Sequence, residues 1–450
     1  MKKILALILA ALMVLTMVAC AAKAEPAADA EQTTTTEPAE ETTPEQTAPA
    51  EETTEEPAVG GTISVFATSY TDAKLEMFQE IINDFTAETG IQVDLITPGS
   101  EGEAQLKTMM ASNSLPDVWM THGWSLLRYS EYLKVVNDQP WFDSIDKDSL
   151  AGVMADENGN FYALGMSMSI SGLIYNKDAL DKAGVDPNSI RTWDDFDAAC
   201  EKLVAAGITP LSMDTADSAW VTQLWMGAMV GTESDAGLEF MNTMNPTDYN
   251  TPEMIAAAEK IQKMYQNYTT QDAIGGKYEN AANNFLAGQT AMLANGPWMI
   301  GDFSDTSMTE EGFADKVGVA LFPGNFVYDA PIQGYIVTKQ DDPKVEEAAI
   351  EMVKFFTSAE AQQTAMEMQG MVPASNTVEL TDTAKDKYPL LAEFLDLATT
   401  EGEKRSDTLQ ATMYANLLDV MSQQLPLLAS GELDAKGFCQ TLTDAAAKNQ

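Results

Sequence analysis

The chain has 450 residues, and its 25 Lys and Arg against 69 Asp and Glu give a formal net charge of −44. This length exceeds one small core and favours two domains or one large composite body. The negative charge repels phosphate backbones, so nucleic acid is not expected as a partner. The three cysteines, Cys20, Cys200 and Cys439, fit no zinc or Cys-x-x-Cys spacing and are too few for a disulfide framework.

The first twenty residues, MKKILALILAALMVLTMVAC, place two lysines before an apolar run that ends at Cys20. The run is too short and wrongly flanked for a spanning helix, and it predicts a secretory signal peptide at residues 1–20. Its last four residues resemble the box of bacterial lipoproteins, although Met17 stands where leucine is usual. That resemblance implies a lipidated Cys20 and a membrane anchor. The alternative is an ordinary signal with an incidental cysteine.

Residues 21–58 are almost all Ala, Glu, Thr, Pro and Gln, without any aromatic residue, Leu, Ile, Val or Met. Nothing in this stretch can offset the entropy of folding, so it predicts a disordered acidic stalk. The folded body is expected to follow from residue 59.

Strand and helix patterns alternate at the start of the body. Residues 62–66 alternate as a strand, 72–88 have apolar residues at helical spacing, and 91–96 are strand-like again. This βαβ unit implies a parallel sheet with a right-handed crossover. A further unit predicts a helix at 105–112 and a short strand at 117–120. Ligands of such sheets gather at the carboxyl ends of strands.

Two later stretches have local signals. Asp156-Glu157-Asn158-Gly159-Asn160 predicts a tight hairpin turn, because Asn-Gly favours one. Its glycine is misplaced for an EF-hand loop, so calcium is a disfavoured alternative. The sequence predicts a helix at 284–293, followed by the Asn295-Gly296-Pro297 turn and Trp298. No metal and no cofactor are expected, and a single histidine, His122, rules out a multi-His metal site.

Four sequence blocks follow one another in order along the body. They are LPDVWM at 115–120, GLIYNKDAL at 172–180 with AGV at 183–185 and TWDDF at 192–196, FLAGQTAM at 285–292 with GPW at 296–298, and 348–358 with Pro373 beyond. Each block alone is a weak signal. Their order and spacing together resemble the family 1 extracellular solute-binding proteins, which include the maltose- and multiple-sugar-binding proteins of ABC importers. The resemblance covers residues 61 to 431.

The resemblance implies an α/β, periplasmic-binding-protein-like fold of type II, with two discontinuous lobes joined by hinge crossovers. The N-terminal lobe would comprise residues 59–170 and 325–375, and the C-terminal lobe residues 171–324 and 376–450. It also implies a monomeric lipoprotein on the extracellular face of a Gram-positive type cell membrane. Such a protein would capture a carbohydrate, with an oligosaccharide favoured. It would deliver that sugar to the permease subunits of an ABC transporter, and a separate ATPase would supply the energy.

A neutral sugar presents C–H groups on its face and hydroxyls at its edge, so its site needs aromatic plates and polar side chains. The expected plates are Tyr70, His122, Trp124, Trp220, Trp298 and Tyr335. The expected polar contacts are Ser69, Asp214, Asn295, Gln333 and Arg405. Core packing is the competing role for every tryptophan. It is assigned to Trp119, Trp193 and Trp225, whereas the resemblance places a sugar-stacking aromatic at Trp298.

Three other functions stay open as alternatives. The chain has no GxSxG, HExxH, Walker A or GxGxxG motif, so an enzyme is not expected. A glycoside-acting enzyme would need only two carboxylates across a sugar cleft, and the chain has many acids. A surface adhesin would suit the anchor and stalk equally well, but it would not need the four blocks. A binding protein for a non-sugar solute is the third alternative, because some members of the family that this chain resembles bind other solutes.

Overall fold

A computed structural model of the protein describes residues 61–67, 71–98, 102–122, 129–142, 156, 158–375, 377–400 and 403–449. The predicted signal peptide, the lipidated Cys20 and the stalk lie outside these residues. Among the described residues, no helix combines the length and the apolar character that crossing a membrane requires.

The strands of the described residues form one mixed sheet with the order β2-β1-β3-β8-β4-β6-β5, in which β7 also pairs with β4 and β9 with β8. They are β1 (Thr62–Phe66), β2 (Gln92–Ile96), β3 (Val118–His122), β4 (Ala163–Asn176), β5 (Thr209–Leu211), β6 (Thr290–Asn295), β7 (Val317–Ala320), β8 (Phe326–Val337) and β9 (Lys404–Ser406).

The α-helices cover the faces of this sheet. They are α1 (Asp72–Thr89), α2 (Gly102–Ala111), α3 (Lys177–Ala183), α4 (Trp193–Ala205), α5 (Trp220–Glu233), α6 (Asp235–Met241), α7 (Pro252–Asn267), α8 (Tyr278–Leu286), α9 (Ile300–Ser304), α10 (Phe313–Lys316), α11 (Pro343–Phe356), α12 (Ala359–Gln369), α13 (Asp382–Lys387), α14 (Pro389–Thr399), α15 (Leu409–Thr412), α16 (Asn416–Ser430) and α17 (Ala435–Ala446).

Helix α1 shows how the sequence fixes these elements. The Thr71 side chain accepts a hydrogen bond from the Lys74 amide and begins the helix, and Gly90 ends it in the left-handed conformation with φ 75°. Apolar residues at helical spacing, including Phe78 and Phe85, are buried on one face. The predicted helix at 72–88 and the strands flanking it are therefore confirmed to within one residue.

The buried apolar residues fall into two separate cores. The first core runs from Ile63 to Met166 and from Tyr335 to Ala365, with Ala411 added. The second core runs from Ile170 to Tyr328 and from Met366 to Ala446. We call each core with its surrounding elements the first and second lobe.

Strands β4 and β8 belong to both lobes. They pair antiparallel from Ala163 opposite Ile336 to Ser171 opposite Tyr328, with irregular register on both sides of Ser167. A third passage lies beside them, because Ser167 also bridges to Pro373. The buried residues thus change core along β4, along β8 and within α12, and Ala411 is a later exception.

The helix predicted at 284–293 is wrong. Helix α8 ends at Leu286, and Gly288 follows with φ 67°, a left-handed conformation that breaks the helix. The next residues form β6, in which all six residues are buried between β4 and β5. Ala291, Met292 and Leu293 favour a helix by themselves, but pairing with two buried strands outweighs that preference.

Candidate functional site

The strand directions place the carboxyl ends of the first lobe's strands toward the second lobe. Strands β1, β2 and β3 run parallel to one another, β3 is antiparallel to β8, and β8 is antiparallel to β4. The first three strands therefore run in the same direction as β4, which passes from the first core into the second. Their carboxyl ends face the second lobe.

The strands of the second lobe run the opposite way. Strand β6 is antiparallel to β4, β5 is parallel to β6, and β9 is parallel to β8. These strands therefore end at the edge that faces the first lobe. Open α/β sheets bind ligands at the carboxyl ends of their strands. Here two such edges face each other beside the crossing strands, and this region, the interlobe site, is the candidate functional site.

Trp298 lies at the second lobe's edge, in the short 3₁₀ helix Pro297–Met299 that follows β6. Its ring is half-buried and packs beside Trp220, with ring centroids 6.0 Å apart. The indole nitrogen donates a hydrogen bond to the Tyr278 hydroxyl at 3.1 Å. The ring is thus fixed on two sides while part of it is open to solvent.

Asn295 and Gly296 complete the support of this ring. The Asn295 side chain is fully buried, and its amide nitrogen donates to the same Tyr278 hydroxyl at 3.2 Å. A Cβ atom on Gly296 would lie 2.1 Å from the Trp298 ring. The backbone at Gly296 is extended, with φ −136°, so the ring and not the backbone conformation requires glycine there. Asn295 therefore supports the Trp298 ring from inside the protein and is not exposed to solvent.

Asp214 lies at the same edge, three residues beyond Leu211, which is in register with Met292 of β6. The carboxylate is fully buried and accepts from the main-chain amides of Thr222 at 3.0 Å and Val221 at 3.4 Å. It thereby satisfies the free amides at the start of α5 and holds Trp220 in place. Burial raises the pKa of this carboxyl from 3.8 to about 7.

Two glutamines outside the predicted set, Gln223 of α5 and Gln410 of α15, bind the loop before α5. Asp217 and Ala219 both have positive φ, 53° and 50°, on either side of Ser218. The Ser218 carbonyl accepts from the side-chain amides of Gln223 and, at 3.0 Å, Gln410. A usable signal existed for Gln410, because it follows a strand end in the chain just as Asp214 and Trp298 do. Tyr278 had no such signal.

The first lobe contributes two predicted residues by backbone position. His122 of β3 is directly opposite Gln333 of β8, and Gln333 is opposite Ser167 of β4. These positions lie where β4 and β8 leave the first core, at the interlobe edge. Ser69, Tyr70 and Trp124, which follow the ends of β1 and β3 in the chain, lie outside the described residues.

Tyr335 packs inside the first core, whereas Arg405 lies in β9, which ends at the interlobe edge. Tyr335 is fully buried in the first core, where its ring stacks on Phe356 with ring centroids 3.8 Å apart. Tyr335 lies two residues after Gln333 on β8. The Arg405 side chain is paired with Glu403, its neighbour along the chain. Among the described residues, no group of three or more His, Cys, Asp or Glu could hold a metal ion.

Comparison with known proteins finds relatives and solved structures that are similar to this chain. The chain is 34% identical to the melibiose/raffinose/stachyose-binding protein MelE of Bacillus subtilis (strain 168) over 136 residues, which are 30% of this chain and 31% of MelE. The match thus spans less than a third of that relative.

Solved structures match over a much larger share of the chain. A chitin oligosaccharide binding protein has a TM-score of 0.73 at 19% identity, over 86% of this chain and 98% of that one. A sugar transporter from Bacillus licheniformis, solved in complex with stachyose, has a TM-score of 0.65 at 22% identity, over 87% of this chain and 100% of the other. These likenesses confirm the predicted two-lobed α/β fold.

The sequence model described as "Bacterial extracellular solute-binding protein" matches residues 80–392, well over half of the chain. This match confirms the resemblance drawn from the four sequence blocks, and the protein belongs to the bacterial extracellular solute-binding proteins.

Proposed function

We propose that this protein captures an oligosaccharide in the interlobe site and delivers it to the permease subunits of an ABC importer. The observation that carries the proposal is the half-buried Trp298 at the end of β6, held by Trp220 and Tyr278. A fixed aromatic ring with one part open to solvent can stack on the C–H face of a sugar at little cost in side-chain entropy.

The proposed contacts come from both lobes. Trp298 is the stacking plate, Trp220 supports it at the rim, and Asn295 and Asp214 position these two rings. The first lobe would add the residues at its strand ends, which are Ser69, Tyr70, His122, Trp124 and Gln333. Arg405 stays a predicted contact of the second lobe, whereas the Tyr335 ring packs in the first core.

Relatives and structural neighbours support an oligosaccharide as the ligand. MelE is named for melibiose, raffinose and stachyose, and the Bacillus licheniformis neighbour was solved with stachyose. We further propose that the chain is not an enzyme, because its family consists of solute-binding proteins. The lobes would comprise residues 59–170 with 325–375 and residues 171–324 with 376–450.

The mature protein would be a monomeric lipoprotein anchored through Cys20. The signal peptide would be removed, and the acidic stalk would hold the body away from the extracellular face of a Gram-positive type membrane. Two or more acyl chains give stable anchoring where one is marginal. A separate ATPase would drive import.

A thermal-shift experiment with residues 21–450 tests the proposal. The panel is raffinose, stachyose, maltotriose and chitotriose, and chromatography follows each sugar for cleavage. Stabilisation by about 2.7 kcal/mol is expected at a sugar concentration of about 100 times Kd, with no product formed. Cleavage would favour the glycoside-acting enzyme. No shift with any sugar would contradict the proposal and favour an adhesin or a non-sugar solute.

A further inference from the structure

We propose that Gln223 and Gln410 form a second polar subsite of the same site, in which their carboxamide oxygens accept hydrogen bonds from hydroxyl groups of one sugar ring. The proposal rests on the proposed function and identifies residues that would select which sugar binds.

The two carboxamides share one partner. Both side-chain nitrogens donate to the Ser218 carbonyl, so the orientation of each carboxamide is fixed and each Oε1 points away from the shared carbonyl. The two side chains are almost fully buried, Gln223 at 2% and Gln410 at 1% exposure. Within the described part of the chain, neither Oε1 has a hydrogen-bond donor. The result is a pair of buried acceptors that require donors.

Such an arrangement is costly unless a donor arrives. A buried polar group without a partner destabilises the fold, and here there are two. Rotating either carboxamide by 180° would place an oxygen against the Ser218 carbonyl and lose a donated bond. The orientation is therefore determined, and the needed partner must bring hydrogen-bond donors. Sugar hydroxyls are such donors, and they present several on one ring.

The position of the pair places it at the interlobe site. Ser218 lies two residues before Trp220, whose ring packs beside Trp298. Ala411, the residue after Gln410, packs in the first core, whereas Leu409 on its other side packs in the second. Gln410 is thus on a segment where the two lobes meet, and its hydrogen bond to the Ser218 carbonyl ties it to the loop that leads into Trp220.

The local charge favours a neutral donor. Asp217, beside Ser218, has its carboxylate 3.8 Å from the Lys277 ammonium group. The Asp214 carboxylate is turned into the amides at the start of α5. The carboxamide pair itself is uncharged, so it suits a hydroxyl better than an ammonium group, for which a free carboxylate is the usual partner.

The test is a double-mutant cycle between the protein and the sugar. The sugar is the one that binds most tightly among raffinose, stachyose, maltotriose and chitotriose. Calorimetry measures the affinity of wild type, Gln410→Met and Gln223→Met for this sugar and for its monodeoxy derivatives. Wild type is expected to bind one monodeoxy derivative at least about tenfold more weakly than the parent sugar. Gln410→Met should bind the parent sugar about tenfold more weakly and should no longer distinguish the two sugars.

A further variant separates contact from support. Gln410→Glu keeps an acceptor oxygen and loses the donor to Ser218, so it should still distinguish the monodeoxy derivative from the parent sugar. Equal loss in Gln410→Glu and Gln410→Met, with neither altering the discrimination, would show that Gln410 only holds the loop and would overturn the subsite. The subsite would also be overturned if the loss of affinity for Gln410→Met with the monodeoxy sugar equalled the product of the two single losses, because the two groups would then not interact. Wild type that binds no panel sugar would overturn the proposed function together with the subsite.

Discussion

At the scale of single residues, the environment and not the residue type separates the proposed stacking tryptophan from those that pack in the cores. Trp119 and Trp225 are fully buried, as the sequence predicts. Trp193 is half-buried like Trp298, and its indole nitrogen also has a partner, the Thr232 hydroxyl at 2.8 Å. Thr232, which contacts Trp193, and Trp220, which contacts Trp298, lie near opposite ends of α5, about 18 Å apart along its axis.

This pair provides a matched test of the stacking plate. Trp298→Ala is expected to weaken oligosaccharide binding about 30-fold, because a well-placed aromatic contact contributes about 2 kcal/mol. Trp193→Ala removes a similar ring and hydrogen bond far from the site, so it should lower the melting temperature and leave affinity unchanged. Calorimetric titration of both variants measures the effect. Equal affinity of Trp298→Ala and wild type would refute the placement of the plate.

Asp214 gives a prediction about pH. Burial raises its pKa from 3.8 to about 7, so the folded protein holds this proton between these values while the unfolded chain releases it. This contribution to stability is fully present below about pH 4, is lost as the pH rises to about 7 and then levels off; it is on the order of 4 kcal/mol. Asp214→Asn keeps an acceptor for the Thr222 amide and removes the titration.

Urea unfolding of wild type and Asp214→Asn from pH 4 to pH 8 measures this contribution. The free energy of unfolding of the variant should rise relative to that of wild type between about pH 4 and pH 7, and stay parallel to it above. Taking the difference removes the contributions of the other carboxylates. If the free energies of unfolding of the variant and wild type differed by the same amount at every pH, Asp214 would have the same pKa in the folded and the unfolded state.

At the scale of elements, α5 is pressed closely against β8. A Cβ atom on Gly227 would lie 2.5 Å from the Tyr328 hydroxyl, and one on Gly231 would lie 2.5 Å from the Phe326 ring. The Tyr328 hydroxyl in turn donates to the Leu224 carbonyl at 2.7 Å. Two glycines four residues apart on one helix face allow this approach, which also sets the position of the residues at the start of α5.

Gly231→Ala is therefore expected to lower the free energy of unfolding, although helix propensity alone predicts that it would rise. In an exposed helix the change would add about 1 kcal/mol of stability. Here the added methyl group meets the Phe326 ring, and overpacking costs about 1–3 kcal/mol, so the net effect should be destabilising. Denaturant unfolding should show a lower midpoint with an unchanged slope. A raised midpoint would show that α5 can move away from β8 freely.

Sequence patterns predicted those elements whose signals are local. The helix at 72–88 has its own cap residues, and the strand at 62–66 alternates, so both were found. Strand β6 was not predicted. Its apolar residues form a strand because they pair with β4 and β5, which are distant in the chain. The role of Asp214 was missed for the same reason: its position after a strand was visible, but the amides of α5 that enclose it were not.

At the scale of the whole molecule, an ion pair joins the two lobes. The Lys74 ammonium group on α1 lies 3.0 Å from the Asp302 carboxylate on α9, and both side chains are less than one-fifth exposed. Beside it, the Gln369 amide of α12 donates to the Ala73 carbonyl at 3.0 Å. Because α1 packs on the first core and α9 on the second, these contacts stabilise the lobe arrangement seen here.

Removing this ion pair should shift the protein toward a more open form in the absence of sugar. Asp302→Asn is expected to raise the population of the open form about fivefold, which corresponds to about 1 kcal/mol. Small-angle scattering should show a larger radius of gyration for the variant, and salt should enlarge wild type more than the variant. The exchanged pair, Lys74→Asp with Asp302→Lys, should restore the wild-type radius. An unchanged radius in Asp302→Asn would contradict the prediction.

The interleaving of the two cores has a consequence for biogenesis. The first core needs β8 and helices α11 and α12, whose residues reach Gln369. The second core closes only with α17, near the end of the chain. A nascent chain cannot finish either lobe until most of it has been synthesised, and contacts this distant in sequence form slowly. We therefore expect neither lobe to be complete before most of the chain is available, and folding of the full chain to be slow.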